Sequence, residues 1–452
     1  MPAHTSGKIV AALLYIAAPL VHAADLLQVY QQALQSDPQL HEAEATRLAA
    51  HQAKPIAVAQ LLPQLNATGA VGHDNISSRQ PILLTEATAV PYKTRSDTTQ
   101  YQLELRQSLF RWEQWVALQR ADSSVAQAEA DYQAARQLLI VRVAQRYFDV
   151  LGARDTVDAS QASLESVSRQ LEQANKLFDV GLTAITDVKE AKAARDQAAA
   201  DLIAAKRTLA TNQELLRELT GVPVDTLAAP GDDLPLKTPE PANEDQWVTS
   251  ALQQNLMLIS ARLAAQIAGE DVRAASAQHY PSLDLVVGRN YYDTTGNRTL
   301  LGERLPADAS QTDDSISLQL RFPIFSGGGV SARVQQQVYL QRAARERLER
   351  AARETERQAR DSYLGVLSEM SRVEASKQAL ESSATAMKAT EEGFKAGTRT
   401  TVDVLNARRQ LFTAQTNYSH SRYAYIMDII QLKQAAGSLN EQDLTEINTW
   451  MR

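Results

Sequence analysis

The chain has 452 residues, a formal net charge of −7 and no cysteine. The acidic balance, with no basic run beyond the mixed Arg/Glu stretch at 342–360, argues against nucleic-acid binding. No histidine pair has the spacing of a metal site, and the sequence contains no Gly-x-Ser-x-Gly motif and no phosphate-binding loop. We therefore predict no catalytic residue, no metal site and no cofactor, and a chain that is not an enzyme.

Residues 1–23 have the pattern of a secretory signal peptide. Lys8 is followed by an apolar run from Ile9 to Val21 and by the small-residue cleavage site Val21-His22-Ala23. The alternative, a transmembrane anchor, is disfavoured because the run is too short. The lack of cysteine fits an oxidising compartment without disulfides. We therefore predict an exported chain.

The segment from Ala24 to about Gln60 has a helical pattern that Pro63 ends. The next residues, 65–74, alternate apolar and polar side chains, which predicts a strand, and a second strand is predicted at 101–106. We expect a polar loop at about 75–96 to join the two strands.

A long helix is predicted from about Trp112 to Phe178, because only the tolerated Gly152 interrupts the pattern. At 1.5 Å per residue this helix is roughly 100 Å long. Gly181 provides the stop, and a return helix at 186–220 ends before Gly221. A proline-rich connecting segment follows at 222–245.

The second half repeats this order. A helix is predicted at 244–278, strands near 283–287 and 316–322 with a polar loop at 293–314 between them, and a long helix ending near Phe394. The stretch from Gly397 to Asn406 copies Gly181 to Val188, 216 positions earlier. The predicted organisation is a first repeat at 24–221, the linker at 222–245, a second repeat at 246–437 and a C-terminal tail at 438–452.

Apolar residues recur every seven positions on both sides of each turn. A spacing of seven means 3.5 residues per turn, so each long helix should supercoil left-handedly around the helix on the far side of its turn. We predict one antiparallel coiled-coil hairpin in each half. In the second half the repeating positions are Val366, Val373, Leu380, Met387 and Phe394 before the turn, and Val404, Leu411, Tyr418, Tyr425 and Leu432 after it.

The four predicted strands, of about ten residues each, are apolar on one face and polar on the other, as in a lipid-facing barrel. Four strands cannot close a barrel, and an open edge in lipid leaves unpaired backbone groups that cost several kcal/mol each. Three chains would supply about twelve strands, which is within the range of outer-membrane barrels. The alternative is a small soluble sheet that caps a helical bundle, and periodicity alone leaves both open.

Together with the duplication, three stretches resemble the TolC-like outer-membrane channel proteins of Gram-negative export and efflux systems: Gly181 to Val188, Gly397 to Leu405 and Gly437 to Leu444. The resemblance covers essentially the whole mature chain. It implies a mainly α fold with a small β part, in which a homotrimer forms a 12-strand β-barrel in the outer membrane. A long α-helical barrel would continue from it across the periplasm, with the linker and C-terminal tail as an equatorial belt.

The resemblance also implies a gate at the periplasmic tips of the helices. The gate positions that carry over are Thr186, Asp187, Phe394, Arg399, Asp403 and Asn406. In the family, the arginine at position 399 bonds to the groups at 186 and 187, and the acid at 403 forms a ring in the trimer. Phe394 and Asn406 replace a tyrosine and an aspartate of the best-known member, so one hydroxyl and one acidic ring are missing. The residues alone also allow a simpler role for Asp187 and Asp403 as helix caps.

The function implied is a passive exit duct for type I protein secretion, multidrug efflux or both. Its expected partners are outer-membrane lipid, a periplasmic adaptor protein and an inner-membrane transporter, ABC or proton-driven, that opens it. Opening would resemble an iris, with the second hairpin, Tyr363 to Leu432, realigning against the first. The alternative is a periplasmic coiled-coil adaptor or scaffold, which should carry β-rich ring-forming domains that this sequence lacks.

Overall fold

The computed structural model describes residues 23–83, 87–224, 226–231 and 234–451. The predicted signal peptide lies outside these residues except for Ala23. Within them the chain forms ten helices and one five-stranded sheet. Among these helices, none contains an apolar stretch long enough to cross a membrane.

The order of elements is duplicated, as predicted. The first copy consists of α1 (Leu26–Ser36), α2 (Pro38–His51), α3 (Ala53–Ala59), β1 (Gln64–Leu83), β2 (Ala87–Phe110), α4 (Trp112–Asp179) and α5 (Ile185–Thr220). The second consists of α6 (Glu244–Gln254), α7 (Leu256–Ala277), β3 (Ser282–Leu300), β4 (Glu303–Pro306), β5 (Ala309–Arg321), α8 (Gly329–Lys395) and α9 (Thr401–Ala435). A last helix, α10 (Glu441–Asn448), follows the second copy.

The single helices predicted at 24–60 and 244–278 are wrong, because each is divided. Asp37 and Asn255 have extended backbone torsions, with ψ of 114° and 119°. Each side chain accepts the backbone N–H three residues further on, at 3.0 Å. Such a side chain caps a new helix and competes with continuation of the old one. Pro38 adds to the break, since it has no N–H to donate.

The polar loops predicted at 75–96 and 293–314 are also wrong, because strand pairing continues through them. β1 pairs with β2 in constant register from Gln64–Arg106 to Leu83–Ala87. β1, β2, β3 and β5 contain 20, 24, 19 and 13 residues instead of about ten. Apolar alternation predicts only the part of each strand that has an apolar face. Strand pairing depends on backbone hydrogen bonds, and it continues through polar residues with high β-propensity such as threonine.

The sheet of the chain has open edges and lies above the packed helices. The strands are antiparallel in the order β1, β2, β3, β5, with β4 pairing to the far part of β3. Below the sheet, α4 packs against α5, α7 and α9, and α8 packs against α9, α7 and α6. Among the described residues, β1 pairs only with β2 and β5 pairs only with β3, so the sheet has two open edges.

The hydrophobic core lies halfway along the long helices, where α1, α10 and the connecting segment pack against α4 and α9. The hydroxyl of fully buried Tyr147 on α4 donates to the carbonyl oxygen of Ala228 at 2.6 Å. On α9, buried Arg422 donates to the carbonyl of Pro230, and the Tyr425 hydroxyl accepts the N–H of Lys237 at 2.8 Å. These bonds fix the irregular segment to the hairpins.

Candidate gate at the helical tips

Each helical hairpin reverses direction through the same turn, at the predicted positions. Gly181 and Gly397 have φ of 75° and 76°. The N–H of the residue after each glycine bonds back to the carbonyl oxygen of Leu177 or Gly393, both at 2.8 Å. This is the Schellman ending of an α-helix, in which glycine adopts the left-handed conformation without a steric cost.

Asp403 belongs to a capping box at the start of α9. Its carboxylate accepts the N–H of Thr400 at 2.9 Å, and its own N–H donates to the Thr400 hydroxyl at 3.2 Å. The bond from the Thr400 N–H, followed by the bond from the hydroxyl, holds the pKa of Asp403 below its ordinary value. Asp403 is therefore both a cap and a fixed negative charge at neutral pH.

Asp187 occupies the corresponding place on the first tip, in the first turn of α5. Its carboxylate accepts a hydrogen bond from the hydroxyl of Thr183, and the side chain is partly buried. The helix start itself is Ala184, which has no capping side chain. Thr186 beside it is exposed. The first tip therefore presents an exposed hydroxyl next to a carboxylate.

Arg399 is exposed on the second tip and lies across the end of α8. Its Cγ is 2.8 Å from the point where a Cβ on Gly393 would stand, so glycine makes room for the arginine stem. Within the described part of the chain its guanidinium forms no ion pair and no hydrogen bond, neither with Thr186 nor with Asp187. Phe394 is partly buried one residue after Gly393. The guanidinium is therefore available to a group outside the hairpin.

Asn406 is exposed one turn into α9, where its side-chain oxygen accepts a hydrogen bond from Arg409 at 2.8 Å. The bond joins two residues of the same helix, so it stabilises no contact between helices. The structure thus brings Arg399, Asp403 and Asn406 together on one tip and places Thr186 and Asp187 on the other.

Arg408, which the sequence reasoning missed, connects three helices. From α9 it donates to the carbonyl oxygen of Ser166 on α4 at 2.6 Å and to the carboxylate of Glu391 on α8 at 2.7 Å. Only 14% of its side chain is exposed. The heptad pattern could have identified this residue. Position 408 is four residues after Val404 and three before Leu411, so it belongs to the helix–helix interface of the coiled coil, where a charged side chain is unusual. Arg408 therefore joins the second hairpin to the first above the tips.

Comparison with known proteins gives one consistent result. The family described as "Outer membrane efflux protein" matches residues 29–222 and 247–438. The chain is 35% identical over 433 residues to the outer membrane protein TolC of Vibrio cholerae, covering 96% of this chain and 95% of that protein. It is 30% identical over 429 residues to the alkaline protease secretion protein AprF of Pseudomonas aeruginosa, covering 93% and 86%. The crystal structure of the outer membrane protein VceC from Vibrio cholerae has the same fold, with a TM-score of 0.72, 21% identity, and coverage of 91% of this chain and 96% of that one.

Proposed function

The chain belongs to the outer membrane efflux protein family, and we propose that it works as a trimeric exit duct whose periplasmic end is held shut at the helical tips. It is an outer-membrane channel for secretion or efflux that extends into the periplasm. This family membership separates it from enzymes and from the periplasmic adaptor considered as the alternative.

The open edges carry the proposal of a trimer. Among the described residues, β1 of the first repeat and β5 of the second each have a neighbouring strand on one side only. Edge strands exposed to lipid have unpaired backbone groups, so β5 of one chain needs β1 of another. Two different edges that meet in this way form a closed ring when the rotation between chains completes a circle. Three chains supply about twelve long strands, enough for an outer-membrane barrel.

A lipid-facing surface follows from the strand register. Leu65, Leu105, Val287 and Ile316 stand directly opposite one another across all four long strands, near the helical end of the sheet. Leu65 and Ile316 at the two edges are 64% and 79% exposed in the single chain. A continuous apolar row on the outer face of a sheet is what the acyl chains of a bilayer require. We assign this surface to the outer-membrane lipid.

The gate consists of charges at the tips that meet between hairpins. The Arg399 guanidinium has no partner among the described residues, and Asp187 with Thr186 offers acceptors on the other tip. An exposed ion pair of this kind contributes about 0.2–1 kcal/mol, so three of them hold a gate that a partner protein can still open. Three Asp403 carboxylates near the threefold axis would repel one another and attract cations. An adaptor and an inner-membrane transporter would open the gate by binding the hairpins.

The test is single-channel conductance of the purified trimer in a planar bilayer, for the wild type and Arg399→Ser. We expect a small resting current that increases in the variant. Lys395→Ser is the matched control, because Lys395 lies at the same tip but pairs with Glu392 on its own helix, at 2.7 Å. An unchanged current in Arg399→Ser would remove Arg399 from the gate. No current from any of these folded trimers would contradict the duct.

A further inference from the structure

The first hairpin is held together by a side-chain amide. Asn212 on α5 donates from Nδ2 to the backbone carbonyl oxygen of Asp149 on α4, at 3.0 Å. A helical carbonyl oxygen has a second lone pair beyond the one used by the helix, so it can accept this bond without breaking the helix. The donor is an amide, which carries its protons at every physiological pH. This contact therefore does not depend on pH.

The second hairpin has an acid at the same place. The 216-residue offset that relates the two copies puts Asp428 at the position of Asn212 and Gly365 at the position of Asp149. Oδ2 of Asp428 is only 2.9 Å from the point where a Cβ on Gly365 would stand. The carboxyl group thus lies directly against the α8 backbone, and it can approach because residue 365 has no side chain.

Only one protonation state of Asp428 can reproduce the bond of Asn212. A carboxylate only accepts, whereas a carboxylic acid has one O–H to donate. Among the described residues, no group donates a hydrogen bond to Asp428. Its neighbour Glu369, one turn beyond Gly365 on α8, is 16% exposed and has one oxygen, Oε2, that is buried without a donor. Two carboxyl groups in this setting favour a proton on one of them.

The charged groups around Asp428 do not supply a compensating cation. On α8, Arg372 pairs with Glu369 at 3.1 Å. Asp428 lines a cavity of about 580 Å³ between α4, α5, α8 and α9. On α4 this cavity is lined by Asp149, which has Arg146 at 3.6 Å. On α9 it is lined by His420 and by Tyr423, whose hydroxyl bonds to Asp155. The cavity residues from α5 are Ala205, Thr208 and Asn212, which carry no charge. Burial, followed by the charge of Glu369, raises the pKa of Asp428 to about 6.

We infer that Asp428 is a proton-dependent latch between α8 and α9. When protonated it donates to the carbonyl oxygen of Gly365 and holds the second hairpin as Asn212 holds the first. When ionised it loses this bond and is repelled by Glu369, which loosens the hairpin. The inference rests on the proposed function, in which the second hairpin moves on opening. An acidic periplasm then favours the resting arrangement, and neutral pH favours opening.

The sign of the pH dependence follows from the folded-state pKa. With a pKa of about 6 against an ordinary value of 3.8, Asp428 is about nine-tenths protonated at pH 5 and about 3% protonated at pH 7.5. Its contribution to stability is therefore present at low pH and is lost as the pH rises through about 6. Asp403 does not titrate in the same interval, because its pKa is lowered.

Asp428→Asn tests the latch, since an amide donates at both pH values. We expect its melting temperature to exceed that of the wild type at pH 7.5 and the difference to shrink at pH 5. In planar bilayers the wild type should conduct severalfold more at pH 7.5 than at pH 5, and Asp428→Asn should conduct little at both. Asn212→Asp is the reciprocal variant, which should lower the melting temperature more at pH 7.5 than at pH 5. Glu369→Gln should move the wild-type transition to lower pH.

Two results would overturn the latch: a melting difference that is the same at both pH values, or an Asp428→Asn channel that keeps the pH dependence of the wild type. Arg399→Ser in the same bilayers separates this failure from failure of the proposed function. If Arg399→Ser raises the current while Asp428→Asn still responds to pH, the gate stands and the latch fails. If no trimer conducts but the melting difference follows pH as expected, the proton-dependent bond stands and the duct fails.

Discussion

Arg408 is the residue whose removal should affect the closed state most. Its side chain is 14% exposed and donates to the Ser166 carbonyl on the first hairpin and to Glu391 on α8. We predict that Arg408→Met, which keeps much of the apolar stem and removes the guanidinium, weakens the contact between the hairpins and increases spontaneous opening.

The size of the effect can be worked from the two bonds. A hydrogen bond from a charged donor contributes about 1.5–3 kcal/mol when it is shielded from water. The bond to the Ser166 carbonyl fits this range, whereas Glu391 is 39% exposed and its pair adds no more than about 1 kcal/mol. A loss of about 2 kcal/mol per chain shifts the opening equilibrium of one hairpin by about 30-fold.

The assay is the open probability of single channels, with the melting temperature measured on the same preparations. Arg409→Met is the matched control, because Arg409 is the next residue and, among the described residues, its side chain bonds only to Asn406 on its own helix. Arg408→Lys should open almost as often as Arg408→Met, since an ammonium cannot reproduce the two-pronged contact. Equal open probability in the wild type and Arg408→Met would refute the assignment of Arg408 to the closed state.

Two further predictions concern the proposed acidic ring and the connecting segment that packs against α4. Asn406→Asp should add a second ring of carboxylates and lower the concentration of a trivalent cation that blocks the channel; an unaltered blocking concentration in bilayers would contradict this. Tyr147→Phe should destabilise the chain by about 1–3 kcal/mol, because the buried carbonyl of Ala228 loses its donor. Tyr363→Phe, 216 positions later, is the control: it should change the melting temperature little, since the Tyr363 hydroxyl has no hydrogen-bond partner among the described residues. Equal losses of stability in the two variants would argue against the bond to Ala228.

The elements that could be predicted from the sequence are those that repeat. The long helices could be predicted because the heptad pattern of apolar residues occurs in both copies. Val150 and Val366, which occupy the same heptad position in the two copies, are both buried. The tips were located because only glycine readily adopts the left-handed conformation seen at Gly181 and Gly397. The positions of the strands could be predicted, but their lengths could not. Apolar alternation indicates which face of a strand is apolar, and it does not indicate where backbone pairing ends.

The contacts between elements could not be predicted in the same way. The Asp-Pro sequence at 37–38 signals a helix start, but the helical pattern on both sides of it is strong enough to conceal the break. The bond between Arg408 and the Ser166 carbonyl spans 242 positions of the chain, and no local pattern specifies which backbone carbonyl a side chain will meet. The gate residues stay a prediction for the same reason, since the partners proposed for them are on other hairpins.

The differences between the two copies suggest why one hairpin would move and the other would not. At the 216-residue offset, Arg408 corresponds to Lys192, which is exposed, and Asp428 corresponds to Asn212. The first hairpin therefore holds its helices with an amide that no change of pH can switch. The second depends on an arginine shared with its neighbour and on an acid whose pKa is about 6. Duplication supplies two similar hairpins, and differences at a few positions place the contacts that can be broken, those of Arg408 and Asp428, in the second hairpin. An iris-like opening requires this division into a fixed hairpin and a moving one.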